Sequence, residues 1–393
     1  MKAKIALYSA LFIVLLIIIL DLFYFEPHRQ PDSIGDILLV LEEGHPKFTF
    51  DYIFRSILLA LSSFFIVFSI VFHPKSNFQA NRVFEVDAFS GWGNLSWMND
   101  SSSKVFFSIS IKKILLWLHI LLFLFLIFLF YDRPGYFSKI SMEDALVENL
   151  SAVFYFFAFG IFIYIIFYIY NFDSSFNKKV ALIIASSFFL IFFLLGMEEI
   201  SWFQRVLSID SPEYFKEYNA QKELNIHNFF MEPIYVTTFY VSAFVFLILF
   251  PFLYEHFASL VKNKIISLFM PDHFILFISA MIVAYNYDQW NLFIIQLCFY
   301  ITLFILLYYC WIYSSIINDY FVVSAFLLVF VLTQIIFLIY GERQLVREWE
   351  VTEYKEFLIP LAYFFYSIEI LIRLKNRKNE LFAVKKEKVA ALA

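Results

Sequence analysis

Residues 5–20 and 115–130 contain no Asp, Glu, Lys or Arg. A helix needs about 20 such residues, at 1.5 Å each, to cross a bilayer core of roughly 30 Å, so these runs are long enough, or nearly so, to be membrane spans. The whole chain shares this character. Of its 393 residues 62% are hydrophobic and 16% charged, against about half and about a quarter in a soluble domain. One soluble core cannot hide that surplus, and the expected fold is an all-α polytopic transmembrane bundle forming a single integral membrane domain over 1–393.

Window by window, the apolar segments fall at 5–25, 52–72, 114–131, 148–170, 180–195, 234–254, 265–285, 292–313, 321–340 and 357–372, about ten spans. Pro271, Asp272 and His273 interrupt the seventh, which is either a full span or a short one with an interfacial lead-in helix. Lys2 and Lys4 precede the first run as in a signal peptide, but no small-x-small cleavage pattern follows, and it reads as a retained span. With 56 Phe and 8 Gly, helix packing is expected to use interlocked aromatic and aliphatic side chains rather than glycine-mediated close approach. Cys298 and Cys310 lie twelve positions apart in one apolar segment, roughly 18 Å along a helix and too far for a bridge.

Cationic segments stay cytoplasmic during insertion. With the N-terminus inside, the inner connections hold Lys75, Lys112, Lys113, Lys178, Lys179, Lys262 and Lys264, and acidic residues outnumber cations in the outer ones. Both termini are therefore expected in the cytoplasm, with 74–113 a cytoplasmic loop, 196–233 an outer loop and 373–393 a basic cytoplasmic tail suited to anionic lipid. A net charge of -5 excludes the dense basic surface that nucleic acid requires. Membrane lipid is the expected partner.

The outer loop carries the chemistry. Glu198 and Glu199 directly follow an apolar span, where an ionised carboxylate is costly unless paired or hydrated. If the helix continues, Glu198, Ser201, Trp202 and Arg205 share one face and Glu199 stays available. Further on, Ser211-Pro212-Glu213 is a helix start, with Ser211 as N-cap. Glu223 and His227 are four apart and converge on one helical face, a spacing that suits a divalent metal or an acid–base pair. The spacing lacks the second histidine of a His-Glu-x-x-His site, and the alternative is an interfacial helix solvated by its own polar residues. Glu148, at the start of the fourth span, and the acids from Glu342 to Glu356 can meet the same face.

The residues Met197 to Arg205 and Asn219 to Asn228 resemble the signature of a little-characterised group of bacterial polytopic membrane proteins. That signature reads Glu-Glu-Ile-Ser-Trp-Gly-Gln-Arg, then Asn-x-Gln-x-Glu-x-Asn-x-His-Asn. Glu143 to Glu148 is similar to the group's Glu-Asp-Gly-x-x-Glu element. The chain departs at Phe203 and Ala145, where the pattern has glycine. The resemblance implies the layout and a bacterial cytoplasmic (inner) membrane, and it brings no reaction with it.

Three functions remain open. The first is an outer-face enzyme, a transferase or hydrolase acting on a lipid or polyprenyl-linked substrate. Its catalytic candidates are Glu198, Glu199, Glu223 and His227, and its substrate-binding candidates Arg205, Gln204, Gln221, Asn225, Asn228 and Glu148. A divalent metal ion would be held by Glu199, Glu223 and His227. The second is a transporter or ion-conducting protein with an acidic vestibule, for which Arg55 and the break at Pro271 to His273 are the main charges within spans. The third is a non-catalytic envelope scaffold. Phosphate-binding loops, dinucleotide fingerprints, nucleophile elbows and Cys-x-x-Cys pairs are absent from the sequence.

Overall fold

A computed structural model describes residues 2–20, 50–74, 76, 109–142, 145–171, 177–219, 222, 224–225, 232–257, 264–315 and 317–390. Every regular element among them is helical. In chain order they are α1 (Lys2–Leu20), α2 (Phe50–Val71), α3 (Ile109–Asp132), α4 (Pro134–Ile140), α5 (Leu146–Asn171), α6 (Lys178–Glu199), α7 (Gln204–Leu207) and α8 (Glu213–Tyr218). There follow α9 (Glu232–Phe244), α10 (Phe250–Phe257), α11 (Lys264–Phe269), α12 (His273–Ala280), α13 (Phe293–Ile312), α14 (Ile317–Gln344) and α15 (Glu350–Ala390).

Eight of the described helices are long and apolar enough to cross a membrane, which makes the chain a multi-pass membrane protein. The remaining two expected spans coincide with shorter apolar helices, Ala3–Ile17 and His273–Ala284. Local chemistry explains several boundaries. Asn177 caps α6 by accepting from the Val180 N–H, and Pro134 opens α4, where its missing N–H costs nothing. A π-helical stretch, Val245–Leu249, joins α9 to α10 just before Pro251. It relieves the clash of the proline ring with the preceding turn.

The α5–α6 hairpin packs along α15, the α1–α2 pair lies against α13, and α3 runs beside α14. Apolar stripes remain exposed at helical spacing, as at Ile114, Leu118, Leu121, Phe125 and Phe128 on α3. Such faces suit lipid. At the centre every residue from Phe274 to Ala284 is buried.

The seventh segment is not one continuous helix but a short lead-in helix, α11, followed by the short apolar helix α12. Ile265, Leu268 and Phe269 of α11 are buried, and the chain breaks at Met270–Asp272. Both exposed helix ends have partners. The Arg373 guanidinium donates to the carbonyls of Ser267 (3.3 Å), Leu268 (3.2 Å) and Met270, and pairs with Glu369. Asp272 caps α12 through the Ile275 N–H at 3.1 Å and pairs with Lys112 at 2.6 Å. Alongside, Glu255 accepts from His273 at 3.0 Å and from the Tyr309 hydroxyl at 2.6 Å.

Aromatic side chains do much of the packing. Phe188 and Phe192 of α6 meet Phe162 of α5 and, on α15, Tyr366 and Tyr363 respectively. Glycine matters where α14 approaches the loop after α12: a Cβ on Gly341 would lie 2.2 Å from the buried Tyr287 ring. Gly341→Ala is expected to lower stability by about 1–3 kcal/mol through overpacking. Gly135→Ala, with nothing within 4 Å, should be neutral or slightly stabilising; thermal unfolding of the detergent-solubilised variants checks both.

Candidate functional site at the acidic end of the bundle

One end of the bundle gathers the start of α5, the end of α6 and the start of α15. Glu148 is in the first turn of α5, and Glu350 and Glu353 are in the first turn of α15. Carboxylates there are favoured by the positive pole of the helix. Glu198 and Glu199 lie instead at the C-terminus of α6, the negative pole, with no basic residue in that turn. The macrodipole opposes them.

Glu198 has a local partner, since the Trp202 indole N–H donates to it at 2.7 Å. Glu199 has none: among the described residues no hydrogen bond or ion pair engages it, and it lies in the field of Glu356, Glu148 and Glu198. Glu353 likewise feels Glu356, Glu148 and Glu199, with Arg347 opposing. All five carboxylates, Glu148, Glu198, Glu199, Glu353 and Glu356, are half-buried, and Glu199 lies within electrostatic reach of the other four. Glu356 is oriented by the Tyr240 hydroxyl, which donates to it at 2.8 Å.

Glu350 has a structural task. Fully buried, it accepts from the Arg347 guanidinium at 3.2 Å and from Ser138, while Arg347 also donates to the Ser138 carbonyl at 2.9 Å. This clamp fastens α4 to the start of α15.

The helix does not continue from Glu199 to Arg205. Ser201, Trp202 and Phe203 have φ of 46°, 55° and 62°, a left-handed turn built without glycine. The shared face expected for Glu198, Ser201, Trp202 and Arg205 is therefore lost, although the turn itself brings Trp202 to Glu198. Arg205 falls in α7; its side chain lies outside the described set, as do Gln221, Glu223, His227 and Asn228.

The two motif segments are tied to each other. The Gln204 amide donates to Ser211 at 2.5 Å and accepts from the Leu224 N–H at 2.5 Å, and the Ser211 hydroxyl donates to the Lys222 carbonyl at 2.5 Å. Asn219 donates to the Asn225 carbonyl and to its side-chain oxygen, both at 2.8 Å, and Asn225 reaches Ser201 at 3.4 Å. The amides of Gln204 and Asn225 are thus engaged within the loop. Ser211 closes the loop rather than capping α8, whose N-cap is Pro212.

Several groups at this end escaped the sequence reading. The segment after α12 brings Asn286, Asp288 and Gln289 against α15, where Thr352 donates to Asp288 at 2.9 Å and Lys355 to Gln289 at 3.3 Å. Arg55, already evident as a charge within its span, joins this segment by donating to the Asn291 carbonyl at 2.6 Å. The polar run from Asn286 to Asn291 was the one signal available. Among the described residues no group of three or more His, Cys, Asp or Glu is arranged to hold a metal ion.

Comparison with protein families, with curated proteins and with solved structures finds no match to this chain.

Left-handed φ costs a non-glycine residue roughly 1–2 kcal/mol. At Phe203 the usual order of substitutions should therefore invert: Phe203→Gly should be more stable than Phe203→Ala by about 1 kcal/mol. Chemical or thermal unfolding of the two variants measures the difference, and an alanine variant of equal or greater stability would show that the turn carries no such strain.

Proposed function

We propose that this multi-pass membrane protein is an enzyme, a transferase or hydrolase, acting at the acidic end of its bundle on a lipid or polyprenyl-linked substrate, with Glu199 as acid–base group. One observation carries the reading. Glu199 sits at the negative pole of α6, among other carboxylates, without a hydrogen bond from the described residues. Such a placement brings no structural return, and a carboxylate so held is suited to proton exchange. Glu356, oriented by Tyr240, is the second acid–base candidate.

The remaining roles are assigned from the loop. Arg205 takes a substrate phosphate, and Gln204, Gln221, Asn225, Asn228 and Glu148 complete the substrate side. In the metal version of the reading, Glu199, Glu223 and His227 hold a divalent cation that activates water or polarises the substrate. The acidic end faces outward and both termini lie in the cytoplasm of a bacterial cell, because Lys112, Lys113, Lys178, Lys179, Arg373 and Lys375 concentrate at the other end.

A one-sided site favours an enzyme over a conducting pathway. From Phe274 to Ala284 the buried central segment offers one polar side chain, Ser279. Transport is the second reading, favoured by the break between α11 and α12, a feature recurrent at transporter binding sites.

With Cys298 and Cys310 replaced by serine, Glu213→Cys should react with an impermeant maleimide in intact cells. Lys179→Cys should react only after permeabilisation, and the reverse result inverts the orientation. For activity, Glu199→Gln and Glu356→Gln should each fail to complement a deletion strain at normal protein abundance, and a precursor lipid should accumulate. Full complementation by both would sink the enzymatic reading. Cation or proton flux in liposomes that Glu199→Gln abolishes would favour transport, and metal analysis of the purified protein separates the metal version from proton relay.

A further inference from the structure

Lys355 lies in the second turn of α15 and is 1% exposed. Its ammonium donates to Gln289 at 3.3 Å and sits over the Tyr240 ring, 4.1 Å from the centre. Among the described residues no carboxylate reaches ion-pairing distance, and Asp288 and Glu356 act on it only through space. An ammonium has three hydrogens to place. One long hydrogen bond accounts for one.

Beside it is a cavity of about 10 Å³, lined by Lys355, Asn286, Tyr240, Cys298, Ile282 and Ile295. Asn286 is 1% exposed; its amide nitrogen donates to the Val283 carbonyl at 2.7 Å and to Gln334 at 3.3 Å, but its side-chain oxygen is buried without a donor. The space is about that of one water. Its walls are mostly apolar, but two polar residues at its border are complementary, with spare donors on Lys355 and a spare acceptor on Asn286.

We propose that this cavity holds one water, accepting from the Lys355 ammonium and donating to Asn286 Oδ1, and that Lys355 is a positioning residue that holds Tyr240, and through it Glu356, in place for chemistry at the acidic end. The positioning role rests on the enzymatic reading; the water does not. A buried charge kept for structure alone is often replaced by a well-packed apolar residue without loss, whereas an ionisable residue within a span is retained for function. Among the described residues Lys355 has no ion pair to lose.

The test is Lys355→Met, close in length and without charge. It should melt at the same temperature as the unmodified protein or higher, yet fail to complement a deletion strain. A density map of the unmodified protein that resolves ordered waters should show a peak within hydrogen-bond reach of both Lys355 Nζ and Asn286 Oδ1. Complementation at the normal level, or a clearly lower melting temperature, overturns the positioning role, and an empty cavity overturns the water. Should Glu199→Gln and Glu356→Gln lose function while Lys355→Met keeps it, this inference falls and the enzymatic reading stands. If all three complement, the enzymatic reading falls and the positioning role with it, while the map still decides the water.

Discussion

A helix broken inside a packed bundle must find partners for its freed backbone groups, because each one buried without a hydrogen bond costs several kcal/mol. The break at Met270–Asp272 therefore dictates which helices surround it. Its carbonyls need Arg373 from α15, and its capping carboxylate, Asp272, needs Lys112 from α3. That arrangement sets the height of α12 in the bundle, and so the position of the segment that follows it. Asn286, Asp288 and Gln289 consequently reach the acidic end and meet Thr352 and Lys355. The ion network at one end and the carboxylates at the other are thus linked through one short, buried helix.

Helix polarity sorts the acids at that end. Glu148, Glu350 and Glu353 gain from their N-terminal positions and need no further explanation. Glu198 is opposed by its pole but engaged by Trp202, whose approach depends on the left-handed turn. Glu199 has the same unfavourable position without that relief, which separates it from neighbours of identical chemistry.

The apolar runs were legible because length and hydropathy alone determine a span, and the Pro271-Asp272-His273 interruption marked the helix break correctly. Its consequence was not legible: a buried hinge satisfied by Lys112, Glu369 and Arg373 depends on pairings across more than ninety positions. The turn at Ser201 to Phe203 was hidden for a local reason, since left-handed backbone is normally announced by glycine and here the residues are Ser, Trp and Phe. At the site, the acids of α5, α6 and α15 could be grouped by expecting their segments to share one face. Lys355 could not be singled out, because its surroundings come from α9 and from the segment after α12.

Two cations on α15, the half-buried Arg373 and the buried Lys355, show how differently one helix can use positive charge. Arg373 points its planar fork at three carbonyls and a carboxylate, so its charge is spent on holding the break closed. Removing it would leave helix-end carbonyls and Glu369 without their donor, which explains its presence structurally. Lys355, eighteen positions earlier, has one long hydrogen bond, an aromatic face and a cavity. An aromatic face offsets part of the desolvation of an ammonium, yet it does so without the geometric demands of the Arg373 site. The first cation belongs to the architecture, and the second is the kind of group a membrane protein keeps for what it does.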